Sequence, residues 1–396
     1  MDSCRTSGGQ PRFDIAEIVR QHRTALEAEI HLTPAQGRVL SAIALCRTAA
    51  LGGHIDTCPS CGFEHPAYNS CRNRHCPKCQ ALRQEQWIAA RTEQLLPVRH
   101  FHVVFTLPSE IRGLGKAYPS QIFGALFSAA SETLADLGES RLHARLGVTM
   151  VLHTWTRELR FHPHVHALVT AGGLAEEASH WVPSNSKYLF SVKVMGQLLQ
   201  GKMMAELRDL HAKGTFATFK DFAEPDSFDH LMQKLASSHW NVYAKKPFGR
   251  VDHVIQYLGR YTHRVGMANS RLVDVRDDAV TFRTKDGKTA TLAPVEFLRR
   301  FVQHVLPDGF HKIRHFGLYA GAADEARRQA LECLNPSTPA SVVAQEETVS
   351  KSWEEDLQLF TGRDVNRCPC CGGLIERRAV AATPTRGPPA TRELAA

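Results

Sequence analysis

The sequence predicts an α+β chain: helices packed on an antiparallel sheet, preceded by a helical region that holds a metal-binding module. Three observations carry this. Runs with apolar residues at helical spacing open the chain. Two short apolar segments, Gly147–Trp155 and His164–Ala171, follow each other closely enough to pair as a hairpin. Between these regions, residues 54–79 are dense in cysteines at metal-ligand spacing. The 396 residues allow two or three domains, and 43% hydrophobic content is enough for at least one sizeable core.

In chain order, residues 13–30 form an amphipathic helix on Ala16, Val19, Leu26 and Ile30. Thr33 caps a second helix, with Pro34 at its first position, that runs to about Ala50 and stops at Gly52–Gly53. After the cysteines, a helix from about Gln80 to Leu96 ends before Pro97. Phe101–Phe105 is a short strand and 119–137 a helix; the hairpin pair follows. Residues 190–212 and 227–242 are helical, and Asp252–Arg264 is a short helix. Strands are expected near 271–275, 280–284 and 288–292, then a helix from Pro294 to about His304. Beyond Asn335 the chain is looser, and 379–396, rich in Pro, Thr, Ala and Arg, is expected to be disordered. This divides the chain into a helical region with the cysteine module (1–97), a sheet-bearing domain (98–320) and a C-terminal helix, half knuckle and tail (321–396).

A formal net charge of +8 favours a polyanionic partner. Asn241–Ala320 holds 14 Lys and Arg against 7 Asp and Glu, so +7 of the +8 lies there. Lys245, Lys246, Arg250, Arg260, Arg264 and Arg271 are its candidates for phosphate contact, a solvated charged surface being the plain alternative. No run of about 18 apolar residues exists, so no membrane span is expected. The opening MDSCRTSGGQ lacks the apolar core of a signal peptide, so a cytoplasmic, nucleoid-associated protein is expected. In such a compartment eleven cysteines point to metal rather than disulfides.

Two Cys-x-x-Cys pairs, Cys58/Cys61 and Cys76/Cys79, present two thiolates each and together predict one tetrahedral Cys4 site for Zn2+. Spacing leaves three roles open for Cys71, His75, His54 and His65: substitute ligand, part of a second site, or neighbour. Cys368 and Cys371 form half a knuckle that either completes a site across the fold or a dimer, or does nothing. Cys4, Cys46 and Cys333 are isolated and read as ordinary thiols.

His164 and His166 lie two apart on a strand, so their imidazoles face one side. If His153 pairs opposite His164, all three share a face and can bind one divalent ion. The two-residue turn this register requires, at Glu158–Leu159, lacks the usual Gly or Asn, so a longer loop is the alternative. His162 and His102 are spare ligands. Tyr257 and Tyr261, at i and i+4, share one face of a helix. Their helical stripe also fits core packing, but Arg260, His263 and Arg264 flank them as phosphate contacts.

Taken together, SCRNRHCPKCQ, FTLP, HPHVH, YLGRYTHR and RRFVQHVLPDGFHKIRHFGL, in that order, resemble the rolling-circle transposases of the insertion-sequence ninety-one family, relatives of Helitrons. The resemblance covers roughly residues 15–320. It implies an HUH nuclease domain with Tyr257 and Tyr261 as nucleophiles, and Mg2+ or Mn2+ on His153, His164 and His166. It also implies DNA partners, as single-stranded element ends and target, through a 5′-phosphotyrosine. The chain has no GxxxxGK[ST] loop, so unwinding falls to host replication or helicase factors. A replication initiator with the same chemistry, or a zinc DNA-binding protein without catalysis, are the rival readings.

Overall fold

Thr33 shows how local chemistry sets the elements. Its hydroxyl accepts from Gln36 N, and the Gln36 side chain accepts from Thr33 N, a reciprocal cap on a helix that starts at Pro34. A computed structural model describes residues 12–185, 187–245, 259, 266–335 and 352–383. Among these, the expected opening helices are α1 (Ile15–Glu29) and α2 (Pro34–Leu45), and the helix after the cysteines is α3 (Ala81–Gln94). The described residues fall into two compact units that interleave along the sequence. One draws on Met1–Arg83, Met267–Arg299 and Thr348–Ala396; the other on Gln84–Gly266 and Arg300–Glu347. The linear division expected from the sequence differs from this: residues 376–380 pair with 53–57, and Asn269 accepts from Ile15 N and donates to Asp14.

In the first unit, β1 (Gly53–Thr57) is the middle of a three-stranded sheet, flanked by β2 (Glu64–Tyr68) and by β12 (Glu376–Val380). Ala379 and Val380 therefore belong to a strand, paired with His54 and Gly53, and not to a disordered tail. The backbone groups of β1 supply their hydrogen-bond partners. The strands β8 (Leu272–Val275), β9 (Val280–Arg283) and β10 (Thr289–Leu292) form a separate meander close to the expected positions.

The second unit holds a six-stranded antiparallel sheet. Its order is β11 (Ile313–Gly317), β4 (Ala144–Trp155), β5 (Phe161–Ala175), β3 (His100–Thr106) and β7 (Val242–Lys245), with β6 (Trp181–Pro183) also on β5. β11 and β7 are absent from the sequence reading; the helix expected over 227–242 ends at Ser237. Alternation sorts the two faces. Leu146, Val148, Met150 and Leu152 of β4, Val165, Ala167 and Val169 of β5, and Phe101, Val103 and Phe105 of β3 enter one apolar core. Helices α4 (Pro119–Leu142) and α5 (Val192–Ala212) contribute Phe123, Phe127, Leu199 and Met203 to it. The residues between point to the other face, and histidines recur among them, including His100, His102, His153, His164, His166 and His315.

Candidate metal centres and nucleic-acid site

The hairpin takes the register that puts His153 opposite His164, and Val151 opposite His166. It avoids a two-residue turn. The register slips after His153, so Trp155 pairs with Phe161, and Leu159 N donates to the Thr156 carbonyl. Leu159 then takes the left-handed position (φ 60°) where glycine is usual. Burial of its side chain and a hydrogen bond donated by His304 Nε2 to its carbonyl (3.2 Å) hold it there. His304 in turn bonds Thr154 through Nδ1 at 3.1 Å. This loop chemistry fixes the strand pairing that assembles the trio.

One nitrogen from each of His153, His164 and His166 lies within 4.8 Å of the others. The His164 and His166 Nε2 atoms are 3.1 Å apart. Neighbours orient both rings. His164 Nδ1 is 2.7 Å from the His162 carbonyl, which can only accept, so Nδ1 carries the proton and Nε2 a lone pair. His166 Nδ1 is 2.7 Å from His102 Nε2. A proton on His166 Nδ1, donated to His102, leaves its Nε2 as a second lone pair beside the first. His102 is thus a positioning partner rather than a spare ligand.

Burial, then His166, His164 and the Lys312 ammonium, hold His153 well below the usual imidazole range. Burial, then His164, His102 and Lys245, do the same to His166. Burial is also the leading cause that brings His164 and His102 to about 4. The trio is therefore neutral at pH 7, the state a metal ligand requires, and Lys245 and Lys312 give it a positive field. Neutral imidazoles so arranged fit a divalent cation.

Lys245 pairs with His102, and Tyr243 with Val104, so both stand on the histidine face at the sheet edge. The Tyr243 side chain is exposed, which for a large aromatic is unusual. Sequence reasoning missed it because no strand was expected there: the helix was read to residue 242 and the residues just after it were given no element. Arg271 is placed otherwise: its Nε and Nη2 donate to the Arg283 carbonyl at 3.0 and 2.7 Å and its guanidinium lies over Phe282. That network braces the β8–β9 meander. Tyr257, Tyr261, Lys246, Arg250, Arg260 and Arg264 lie outside the described residues. Gly259, between the tyrosines, is helical, and a Cβ there would come within 2.4 Å of Ile88 Cδ1. Ile88 of α3 packs on Val151 and Leu168, the neighbours of His153 and His166 on the same face.

The cysteines gather differently from the single Cys4 site expected. Cys58 and Cys61 do not join Cys76 and Cys79. Cys76 and Cys79 join Cys71 and Cys46, and Cys58 and Cys61 join Cys368 and Cys371; in each tetrad all sulfurs lie within 4.8 Å of one another. Cys46, read as an ordinary thiol, is a full member of the first tetrad. Contact with Cys71 draws its thiol down to about 7, while contact with Cys46 pushes Cys71 and Cys76 up and pulls Cys79 down. Four sulfurs drawn together in this way suit a cation in their midst. The histidines stand apart: His54 faces Asp56 at 3.4 Å, His65 stacks near Phe63, and His75 Nδ1 is 3.1 Å from Asn73 Oδ1. Lys78, beside the cluster, pairs with Asp14.

A signal for this partition does lie in the sequence. Cys58-Pro-Ser-Cys61-Gly62 and Cys368-Pro-Cys370-Cys371-Gly372 share a glycine after the second cysteine, whereas Cys79 is followed by Gln80. Among the described residues no helix is long and apolar enough to cross a membrane.

Comparison with known proteins gives a family. Residues 147–327 match a family described as putative transposase, and residues 18–107 match a transposase zinc-binding domain. A putative transposase, y4qJ, of Sinorhizobium fredii is 38% identical over 371 residues, covering 90% of this chain and 92% of its own length. The transposase for insertion sequence element IS801 of Pseudomonas savastanoi pv. phaseolicola is 28% identical over 345 residues, covering 83% of this chain and 80% of its own length. No solved structure is significantly similar.

Proposed function

The chain belongs to the IS91 family of insertion-sequence transposases, and from that premise we propose that it cleaves and rejoins single-stranded DNA at element ends through a phosphotyrosine link. The observation that carries this reading is the histidine face. Three neutral imidazoles converge there, and Gly259, between the two tyrosines in sequence, lies against Ile88 over the same face.

His153, His164 and His166 would hold Mg2+ or Mn2+. Such an ion, when bound, supplies positive charge to a scissile phosphate oxygen. His102 and the His162 carbonyl keep the ligand rings oriented. Lys245 adds charge for the backbone of the strand, and Tyr243 offers a surface for an unpaired base. Tyr257 or Tyr261 attacks phosphorus; the bond from phosphorus to the 3′ oxygen breaks, and that oxygen takes up a proton to become a free 3′-OH. The covalent link conserves the phosphodiester energy for the joining step, in which a 3′-OH displaces the tyrosine. A phenol ordinarily titrates near pH 10, so nearby cations must favour its ionised form. A second tyrosine permits a second cleavage while the first end stays attached. In the zinc-binding domain, Cys46, Cys71, Cys76 and Cys79 would hold a structural Zn2+.

The test incubates full-length protein with labelled single-stranded element-end DNA and Mn2+, then runs a denaturing gel. A covalent adduct is expected, lost in His164→Ala and in the double variant Tyr257→Phe, Tyr261→Phe, with DNA binding kept in both. An adduct that persists in the double tyrosine variant would refute the assignment of the nucleophiles.

A further inference from the structure

The second tetrad belongs to a place that no domain match reaches, since residues 18–107 include Cys58 and Cys61 but not Cys368 and Cys371. We propose that Cys58, Cys61, Cys368 and Cys371 bind a zinc ion of their own, so that the chain carries two thiolate-bound zinc ions, and that this one clasps a ribbon made from segments over 300 residues apart.

The two halves are built alike. In the first, Cys58 N donates to the Phe63 carbonyl at 2.8 Å and Gly62 N to the Cys58 carbonyl at 2.9 Å. In the second, Cys368 N donates to the Gly373 carbonyl at 2.8 Å and Gly372 N to the Cys368 carbonyl at 2.9 Å. The offsets are identical, and Gly62 and Gly372 both turn through the left-handed region, at φ 72° and 73°. Each knuckle therefore aims two sulfurs to one side, and the two face each other. Cys58 and Cys371 sulfurs are 3.5 Å apart, Cys61 and Cys368 3.6 Å. A tetrahedron of sulfurs at the Zn–S distance of about 2.3 Å has edges of about 3.8 Å. The spacing is too long for a covalent S–S bond and close to that edge. Four thiolates without a carboxylate or imidazole select zinc among the common divalent ions.

The surroundings support a shared site. Directly beyond the knuckles, β12 pairs with β1 over five residues, from Thr57 with Glu376 to Gly53 with Val380. Arg377 Nε meets Asp56 Oδ1 at 3.0 Å across that pair. The second ion would thus pin the C-terminal strand to the zinc-binding domain and make that domain discontinuous in sequence. The inference is independent of the nuclease reading, since no atom of the histidine face takes part.

The test counts zinc released from full-length protein by a thiol-specific mercurial, which spares ions held by histidine. Two per chain are expected. Either the pair Cys58→Ser, Cys61→Ser or the pair Cys368→Ser, Cys371→Ser should leave one, and all four substitutions together should still leave one, because they remove the same ion. One zinc from the unaltered protein, or two from the Cys368→Ser, Cys371→Ser variant, would overturn the proposal. Cys371→His guards against misfolding: it keeps a ligand, so the cobalt-loaded protein should retain both ions and shift part of its visible band toward a three-sulfur, one-nitrogen spectrum. An unshifted band would equally overturn it.

Discussion

Replacing His102 with phenylalanine tests whether the histidine trio is a metal centre arranged by its neighbours. His102 is not one of the three expected ligands but contacts one of them. Its Nε2 lies 2.7 Å from His166 Nδ1, and its ring stacks on that of His166 with centroids 5.0 Å apart. Phenylalanine keeps the stacked ring and removes the nitrogen. His166 then loses the acceptor that holds its proton on Nδ1 and its Nε2 toward His164. Outer partners of this kind are typically worth 10–100-fold in metal affinity, or about 1.4–2.7 kcal/mol. Mn2+ titration followed by electron paramagnetic resonance should show that weakening in His102→Phe. His102→Gln, whose carbonyl can accept from Nδ1, should recover part of it. Thermal denaturation without Mn2+ checks that both variants fold. Equal Mn2+ affinity in a folded His102→Phe protein would refute the reasoning, since the proton on His166 would then not depend on its partner.

Three further outcomes follow from the geometry. Tyr243→Ala should weaken single-stranded DNA binding by about 1–3 kcal/mol, the usual loss for one stacking aromatic, while Mn2+ affinity stays unchanged; fluorescence anisotropy with a labelled oligonucleotide measures it. Gly259→Ala puts a Cβ within 2.4 Å of Ile88 Cδ1 and Cγ1, so adduct formation should fall and the second substitution Ile88→Ala should restore it; failure of that rescue would show that the Gly259–Ile88 approach does not matter to the reaction. His100 and His304 are buried and held at about 4 against an ordinary 6.5, chiefly by burial. Both are neutral in the folded state and protonate in the unfolded chain below pH 6.5, so stability is complete above about 6.5 and falls as pH drops toward 4, by roughly 3 kcal/mol for each group. Urea denaturation at pH 7 and pH 4.5 reads this, and equal midpoints would contradict it.

Much of the site was legible because its signals are local. His164 and His166 alternate on a strand, and an offset of eleven residues to His153 suits an antiparallel partner. The turn was harder to foresee, since it depends on Leu159 in a glycine-like conformation, and that depends on burial and on His304 far along the chain. The helix expected over 227–242 overran for a related reason. Residues 242–245 become a strand because β3 offers an edge, a tertiary influence that outweighs propensity. The cysteines show the limit most clearly. Proximity in sequence favoured joining Cys58/Cys61 with Cys76/Cys79, yet the glycine after Cys61 and after Cys371 marked a different pairing. Cys46 carried no local signal; only the return of the chain past α2 brings it to Cys71.

The late strands have a consequence for how the protein is made. β11 closes the outer side of β4, and β12 closes the free side of β1, through partners such as Ile313 with Val151 and Val380 with Gly53. While the polypeptide is still leaving the ribosome, both early strands stand with an unpaired rim, a template for unwanted association. A copy of the gene interrupted before the codon for Glu376 would encode a chain without β12, with one edge of β1 left open to water and to other strands.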